Sequence, residues 1–556
     1  MLSDFQSNLL TKILAIGSFL VTITVYSGIG YDPVNLPKLA LITIMAGICF
    51  GLVSYSLKAQ KNLKKFIFSL PLAFFILGLI FNLIFGRSPL SMNFYGTYGR
   101  NTGVLTYLCL VILTFGATLI KQERQFMKII KYFIFAIVIN LFYGLFIFLN
   151  KRDPLPWSNP NANFLGTLGN PDFISAFLGM GSAMTFAIAF RFKNYLRYLL
   201  FLLIPIQLFL IDVSKALQGY IVSILGFGVV IYFLIRSNFN RIFERVYLSI
   251  STIIGSMIIL GMLQIGPLTD YVYKTSVSIR GSYWRAGIRM FIDSPFWGIG
   301  LDSYGDFYRR FRDLKAITLP GVNVVTDTAH NVYIDLLAGG GLLLIVPYIA
   351  FQVFVFYTCY IFWKKNKEYD PIFVTLLVGW ITYLAQSIVS INQIGLAIWG
   401  WLFAGLIIGY VNNYKNQSDL LSENKKSSKM NIQSQLTPGN YLWTIIISVL
   451  FTIVAAFPVV SEYKWRTSLK NGSIEQIIAN VNGSPKNNQR FIQTAQMLFK
   501  SNFNTDGVAV LKLGIDYDPD FRDYWYFLYN LSSNKKDREL ALSNLKRLDP
   551  LNKAQS

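Results

Sequence analysis

The sequence predicts an all-α, polytopic membrane protein, and three observations support this fold class. Hydrophobic residues make up 53% of the 556 residues and charged residues only 14%, which is more apolar surface than a soluble domain of this length needs. Apolar stretches of roughly 20 residues, the length of a helix that crosses a bilayer, recur along the chain. Lysine and arginine are concentrated in every second loop between these stretches.

Thirteen segments are candidate membrane spans. Because lipid offers no hydrogen-bond partners, each segment must satisfy its own backbone as an α-helix. Their approximate limits are 11–29, 37–57, 66–86, 104–120, 128–149, 173–190, 197–212, 216–235, 247–266, 340–363, 371–390, 394–412 and 442–460.

The charges of the loops predict the orientation of these spans. Six alternate loops are basic, and they carry Lys58, Lys61, Lys64 and Lys65; Lys121, Arg124, Lys128 and Lys131; Arg191, Lys193 and Arg197; Arg236, Arg241 and Arg245; Lys364, Lys365 and Lys367; and Lys415, Lys425, Lys426 and Lys429. The short loops between them carry at most two, such as Lys38 alone or Arg87 with Arg100. The positive-inside rule then places the N-terminus in the cytoplasm and the C-terminus outside. Much of the net charge of +22 is thus explained by topology and does not indicate nucleic-acid binding.

The same pattern divides the chain into four segments. Residues 1–412 are predicted to form a transmembrane domain whose large outer loop is 267–339, followed by a flexible cytoplasmic linker at 413–440 and a last transmembrane helix at 441–462. The outer tail, 463–556, is predicted to be helical. Its two Asp-Pro pairs recur about 31 residues apart, which is typical of degenerate tetratricopeptide repeats, and a small generic helical domain is an equal alternative.

The cysteines do not indicate a metal or a disulfide. Cys49, Cys109 and Cys359 all fall inside predicted spans, lie far apart in the sequence and form no CxxC pair. Buried structural thiols are therefore the favoured interpretation. The chain also offers no cluster of carboxylates with histidine or cysteine for a catalytic metal, and we predict no metal and no other cofactor.

The large outer loop contains a candidate phosphate-binding element. Residues 281–292 are predicted to form an amphipathic helix at the membrane surface, which Pro295 ends. Its apolar stripe comprises Tyr283, Trp284, Ile288, Phe291 and Ile292. Arg285 and Arg289 are four residues apart and share another face. The guanidinium group suits phosphate oxygens, although contact with lipid headgroups is an equal alternative for these two arginines.

His330 is the one histidine of the sequence, and it lies near the end of the same loop. Histidine has the side-chain pKa nearest neutrality, so a reaction that needs a general base would use it first. The alternative is a structural histidine that caps the tenth span through its ring nitrogens. Asp335, five residues later, is predicted to be an ordinary hydrogen-bonded polar residue, with an orienting role as the alternative.

These residues belong to a longer pattern. It comprises Arg280-x3-Trp284-x10-Pro295-x2-Gly298-x-Gly300, then Ala329-His330-Asn331-x-Tyr333-x-Asp335 and Gly339-Gly340-Gly341-Leu342. The pattern resembles the core of the O-antigen ligase and polymerase superfamily, most closely the ligase-type branch that includes bacterial O-linked protein oligosaccharyltransferases. The segments 95–103 and 168–173 resemble weaker elements of the same family. The resemblance covers roughly residues 10–412 and leaves out the last span and the tail.

The resemblance implies a reaction and a site. It implies a GT-C-like glycosyltransferase architecture that moves a glycan from undecaprenyl diphosphate to a hydroxyl of a lipid, a cell-wall polymer or a protein, without metal, at the outer face of the bacterial cytoplasmic membrane. Arg280 would bind the diphosphate, and His330 would activate the acceptor or organise the leaving group. A second family arginine is replaced by Lys215, which keeps the charge but not the bidentate geometry. The other predicted substrate-binding residues are Arg100, Trp284, Arg285, Arg289, Asn331 and Tyr333.

Three alternatives predict different features. A repeat-unit polymerase of the same superfamily would lengthen the lipid-bound glycan instead of removing it from the lipid. A transporter or flippase would place ionisable residues at mid-membrane, and the predicted spans are nearly free of charge. A membrane-anchored scaffold would retain its function in the tail alone and would not need His330. Apart from donor and acceptor, the predicted partners are membrane lipids and not nucleic acid.

Overall fold

A computed structural model of the protein describes residues 4–28, 30, 32–58, 69–155, 157, 159, 162–422 and 438–552. The regular structure of these residues is helical throughout, which confirms the all-α prediction. The helices are α1 Asp4–Ile23, α2 Asn35–Lys58, α3 Ser69–Phe85, α4 Leu90–Tyr95, α5 Val104–Ala117, α6 Glu123–Asn150, α7 Pro171–Ala189, α8 Tyr195–Val213, α9 Gln218–Asn238, α10 Arg241–Met262, α11 Thr269–Val272, α12 Thr275–Asp293, α13 Tyr304–Phe311, α14 Leu314–Ala316, α15 Val332–Lys365, α16 Pro371–Val389, α17 Ile394–Ser422, α18 Pro438–Asn471, α19 Ile474–Val481, α20 Asn488–Lys500, α21 Asn504–Tyr517, α22 Arg522–Leu531 and α23 Lys535–Leu548.

Each predicted span coincides with one helix. Among the described residues, eleven helices are long and apolar enough to cross a membrane, and α3 and α5 are shorter apolar helices of 17 and 14 residues. At 1.5 Å per residue, α5 is about 21 Å long and does not cross a hydrocarbon core of about 30 Å by itself. The protein is therefore a multi-pass helical membrane protein. Part of the predicted linker, 423–437, lies outside the described residues.

The loops between the helices fall on two opposite sides. On one side, Gln125 at the start of α6 donates to Ser7 Oγ at 2.9 Å, and Asn413 donates to the Ile120 carbonyl at 3.1 Å. These contacts join the basic loops. On the other side, Asn35 at the start of α2 donates to the Gly99 carbonyl at 2.6 Å. The alternation follows the predicted topology, and which side faces the cytoplasm remains a prediction.

Lys38, predicted to lie in an outer loop, is instead a structural residue of α2. Its side chain is fully buried, and Nζ donates to the carbonyls of Val21, Thr22 and Thr24 at 2.7–2.9 Å. A cation is stabilised at a helix C-terminus, where the last carbonyls lack intrahelical partners. Lys38 therefore stabilises the end of α1 on the side that carries the large outer loop.

The glycine-rich start of α15 packs against the segment that follows α12. Gly341 interrupts the helix with a φ of 60°, and a Cβ there would lie 2.5 Å from the Phe296 carbonyl group. The Ile299 N–H donates to the Ala338 carbonyl and the Gly300 N–H to that of Gly339, each at 3.0 Å. The backbones meet directly, so only glycine fits at Gly341. This contact fixes the end of α12 against the start of α15.

The helix predicted at 281–292 is α12, but it buries a different face. Tyr283 is buried as expected, whereas Ile288 and Ile292 are 44% and 68% exposed. Ala286 and Met290 are fully buried instead, in a cluster shared with α13 and the segment before α15. Helix α12 thus packs on protein through its small residues and leaves its isoleucines outside the protein core, and contact of its apolar stripe with the membrane surface remains a prediction.

The tail packs around its own hydrophobic cluster and contacts the outer side. Helix α18 continues past the predicted span limit to Asn471, and its Trp465 belongs to the cluster formed by the helices that follow. Glu462 accepts a hydrogen bond from Tyr98 at 2.8 Å, and Tyr517 contacts Ser91 at 2.9 Å. The tail and the large outer loop therefore lie on the same side. The division of the chain into four segments, and the comparison of the tail with tetratricopeptide repeats, remain predictions.

Candidate active site

His330 lies in a tight turn immediately before α15, which begins at Val332 and not near residue 340 as predicted. The φ of His330 is 51°, a left-handed value that is uncommon outside glycine and is found often at functional sites. Its N–H donates to Thr328 Oγ1 at 3.1 Å, and the Ala329 N–H donates to the Asp335 carboxylate at 2.8 Å. Asp335 therefore fixes the turn through the backbone.

The cap of α15 is Asn331 and not His330. Asn331 Oδ1 accepts hydrogen bonds from the N–H groups of Tyr333 at 3.0 Å and Ile334 at 3.1 Å. The imidazole of His330 is half-buried and stacks on the Tyr283 ring, with 5.8 Å between centroids and 28° between planes. Its ring nitrogens have no hydrogen-bond partner in the described part of the chain. The helix thus does not use them, and they are available to a ligand.

Arg280, on α12, is the cation that has the largest effect on the pKa of His330. Burial lowers the pKa of His330 below its ordinary value, and the positive charge of Arg280 lowers that pKa further. Arg280 is itself half-buried and has neither a hydrogen bond nor an ion pair with any described residue. The site therefore combines a neutral imidazole, which can accept a proton, with a guanidinium group that can bind an anion.

Two carboxylates near these groups were not among the predicted site residues. The negative charge of Asp172, in the first turn of α7, raises the pKa of both Arg280 and His330 and so opposes the effect of burial. The charge of Asp327 likewise raises the pKa of His330. Asn170 caps α7 by accepting from the Asp172 N–H at 2.8 Å. The Asn-Pro-Asp sequence, within the segment 168–173, is the signal that could have identified Asp172, because it predicts a capped helix start.

Arg100 lies close to the site but is engaged by carboxylates. Its Nε is 3.2 Å from Asp302 and its Nη1 is 3.0 Å from Asp327, and its side chain is 13% exposed. The charge of Arg100 also lowers the pKa of His330, although by less than the charge of Arg280 does, whereas the carboxylate of Asp327 raises that pKa. Its predicted contact with substrate remains untested, and the observed contacts hold the first outer loop against the turn before His330.

Arg285 and Arg289 are directed to a different partner. Arg285 Nε donates to the Asp313 carboxylate at 2.6 Å, and Arg289 donates to the carbonyls of Phe311 and Arg312 at 3.4 and 3.3 Å. Both contacts hold α12 against the segment after α13. The contacts of these two arginines do not include His330, and their role in substrate binding remains a prediction.

Lys215 lies in the turn between α8 and α9, on the same side as the start of α7. The turn is held there because Ser175 of α7 donates to the Ala216 carbonyl at 2.7 Å and accepts from the Gly219 N–H at 2.9 Å. Lys215 itself is exposed, with a φ of 61°, and has no ion pair among the described residues. It is a second cation without a partner, although no direct contact joins it to Arg280.

Trp284 and Tyr333 complete the predicted set. Trp284 lies four residues after Arg280 on α12, and its indole N–H is buried without a hydrogen-bond partner in the described residues. Tyr333 donates to the Leu384 carbonyl of α16 at 3.4 Å and packs on Tyr348. The N–H of Trp284 therefore lacks an acceptor among the described residues, whereas Tyr333 contacts α16 and Tyr348, and Asn331 caps α15.

The charged groups of the site do not form a metal centre. Within the described ranges, no group of three or more His, Cys, Asp and Glu side chains is arranged to hold a metal ion. The arrangement offers instead a fixed positive charge, a neutral base and an open donor. Such groups can stabilise a leaving anion and accept a proton from a nucleophile.

Comparison with known families gives a match that includes part of this site. Residues 174–349 match the family model described as O-antigen ligase. The matched segment contains Lys215, Arg280 and His330, whereas Asp172 and Arg100 precede it and the tail follows it. A comparison with curated proteins finds no match. The family match indicates a membrane enzyme of the glycosyltransferase-like ligase or polymerase type, which acts on a lipid-linked glycan and an acceptor. The match supports the O-antigen ligase superfamily for residues 174–349, the segment that carries Arg280 and His330.

Proposed function

We propose that the protein transfers a glycan from undecaprenyl diphosphate to the hydroxyl group of an acceptor, at the outer face of the bacterial cytoplasmic membrane. The family match supports the class of reaction. The observation that carries the assignment of residues is the pairing of Arg280, a guanidinium without an ion pair among the described residues, with the neutral imidazole of His330. A half-buried cation without a carboxylate partner is costly unless an anionic ligand accompanies it.

The reaction divides between these two groups. The oxygen of the acceptor hydroxyl attacks the anomeric carbon, and the bond from that carbon to the phosphate oxygen breaks. The hydroxyl proton passes to a ring nitrogen of His330, whose lowered pKa keeps it neutral near pH 7. The negative charge of the leaving diphosphate develops next to Arg280, which stabilises it without reorganisation.

Two further groups support binding of the donor. Lys215 is a cation without an ion pair among the described residues, on the same side as Arg280. The buried N–H of Trp284 lacks an acceptor within that part of the chain, and a phosphate or glycan oxygen would satisfy it. We assign Lys215 and Trp284 to the donor, and we assign no substrate contact to Arg285 or Arg289.

The test is a transfer assay in membranes that contain the lipid-linked donor, at matched expression. His330→Ala should lower the transfer rate by a factor of about 10² to 10⁴, the usual contribution of a general base. Arg280→Ala should lower it by about 10² to 10³ through loss of charge stabilisation. In both variants the lipid-linked donor should accumulate. A product that leaves the lipid identifies a ligase, and a longer lipid-bound glycan identifies a polymerase.

The matched control for Arg280 is Lys274→Ala, an exposed cation in front of the same helix. It should transfer at the wild-type rate. The protein is best purified with a tag that lacks histidine, so that His330 is the one imidazole that a histidine-specific reagent modifies. Wild-type transfer by both His330→Ala and Arg280→Ala would contradict the assignment and reopen the transporter and scaffold alternatives.

A further inference from the structure

A cavity of about 310 Å³ lies between the large outer loop and the tail. Its wall includes Arg100, Asp306, Arg309 and Asp327 on the membrane domain, and Phe521 and Arg522 on the tail. The volume lies at the lower end of the roughly 300–1,000 Å³ of small-ligand pockets. Because Asp327 precedes His330 by three residues, the cavity begins beside the candidate active site.

The arginines of this wall are paired with carboxylates, unlike Arg280. Arg100 pairs with Asp302 and Asp327, as described above. Arg309 pairs with Asp549 at 3.0 Å, and Arg522 with Asp523 at 3.3 Å. Paired charges leave little net attraction for an anion. The wall therefore suits a polar ligand without phosphate, whereas Arg280 suits the phosphate.

One carboxylate of the wall has no such partner. Asp306, on α13, forms neither a hydrogen bond nor an ion pair through its side chain with any described residue. It faces Asp518 and Asp523 of the tail, and burial together with these like charges raises the pKa of Asp306 well above its ordinary value. Hydroxyl groups both donate and accept, so a ligand rich in hydroxyls satisfies Asp306 whether or not it is protonated.

An aromatic ring lies on the tail side of the same cavity. Phe521 is half-buried at the start of α22 and contacts Tyr524 edge to face at 4.9 Å between ring centroids. The remaining surface of its ring borders the cavity. Aromatic faces stack on the apolar faces of sugar rings, as they do on other flat apolar surfaces.

We propose that this cavity binds a saccharide unit during transfer and that the tail thereby forms part of the substrate-binding site. The choice of a saccharide rests on the proposed function, while the cavity and its wall do not. The unit belongs either to the glycan of the donor or to a glycan acceptor, which share this chemistry. The diphosphate would then bind near Arg280, and the glycan would extend from His330 toward the tail.

The experiment measures binding by the full-length protein in lipid nanodiscs. Two probes are used, namely the glycan released by mild acid from the lipid-linked donor and the cell-wall glycan fraction of the same cells. Asp306→Leu and Phe521→Ala should each raise the dissociation constant of one probe by about 5- to 20-fold. A change for the released glycan assigns the cavity to the donor, and a change for the cell-wall fraction assigns it to the acceptor.

Controls separate binding from folding. Asp516→Leu and Phe503→Ala change exposed residues of the tail outside the cavity and should bind both probes as the wild type does. Asp306→Leu removes a repulsion and should not lower the melting temperature. Unchanged affinity in both cavity variants, or a loss of affinity that follows a lower melting temperature, would overturn the proposal. The transfer activity of His330→Ala tests the proposed function separately, because His330 does not line the cavity.

Discussion

A buried carboxylate, Asp549, joins the tail to the membrane domain. Asp549 accepts from Arg312 at 2.6 Å and from Arg309 at 3.0 Å, and the side chains of Asp549 and Arg312 are both fully buried. Removal of one partner from a buried ion pair costs about 3–5 kcal/mol, because the remaining charge is left without compensation. Asp549→Ala should therefore increase the population in which the tail is detached by about 10²- to 10⁴-fold.

Hydrogen exchange of the full-length protein measures this change directly. Amides of α13 and α23 should exchange faster in Asp549→Ala, and the ratio of rates gives the change in opening free energy. Asp537→Ala is the matched control, since Asp537 pairs at 2.9 Å with Lys512, whose side chain is 51% exposed, and such pairs contribute about 0–1 kcal/mol. If Asp549→Ala exchanged no faster than Asp537→Ala, the buried pair would not hold the tail, and the reasoning would be refuted.

Three other predictions follow from the site and its support. The rate of transfer should fall with decreasing pH, with a midpoint below the ordinary histidine pKa. Arg280→Gln should move the midpoint of its residual activity to higher pH, because the positive charge that lowers the pKa of His330 is lost. A midpoint that does not move would contradict this electrostatic coupling. Gly298→Ala should lower the melting temperature, because the φ of 71° at this position costs an L-residue about 1–2 kcal/mol and the new Cβ would lie 2.3 Å from the Gly339 backbone. A wild-type melting temperature in this variant would contradict the prediction. Asn331→Ala should cost about 1 kcal/mol of helix stability, and Asn331→Ser should retain that stability, as measured by thermal unfolding. Equal loss of transfer in both variants, with normal stability in the serine variant, would instead indicate that Asn331 contacts substrate.

The membrane helices could be predicted from the sequence because a span is a local property. Each predicted segment coincides with a helix, since apolar length and the need to satisfy the backbone act within about 20 residues. The boundaries near the site were less accurate. Helix α15 begins at Val332, because the residues between Asn331 and Gly341 form a capped helical turn that packs on protein and needs no lipid-facing hydrophobicity. Hydropathy does not detect such a segment.

Contacts between distant segments could not be predicted in this way. Asp549 and Arg312 are 237 residues apart, and the same Asp-Pro pair that suggested a helical repeat gives no sign of a buried partner in another segment. The spacing of Arg285 and Arg289 likewise suggested phosphate ligands or, equally, contacts with lipid headgroups, and it is also compatible with the contacts to residues 311–313 that the structure shows. Spacing on one helix identifies a shared face but not the partner of that face.

The partners of the arginines therefore distinguish their roles better than their positions in the sequence. Arg100, Arg285 and Arg312 lie on the same side of the protein as His330, and each contacts a carboxylate of the protein, so each can be explained by folding alone. Arg280 has neither a hydrogen bond nor an ion pair with any described residue, and the charge of Asp172 only partly offsets the cost of its burial. A fold that keeps a half-buried charge without a protein partner gains from it only when a ligand supplies the opposite charge. The diphosphate of the proposed donor would be such a ligand, and this asymmetry among chemically identical side chains is why we propose that the reaction takes place at Arg280 and His330.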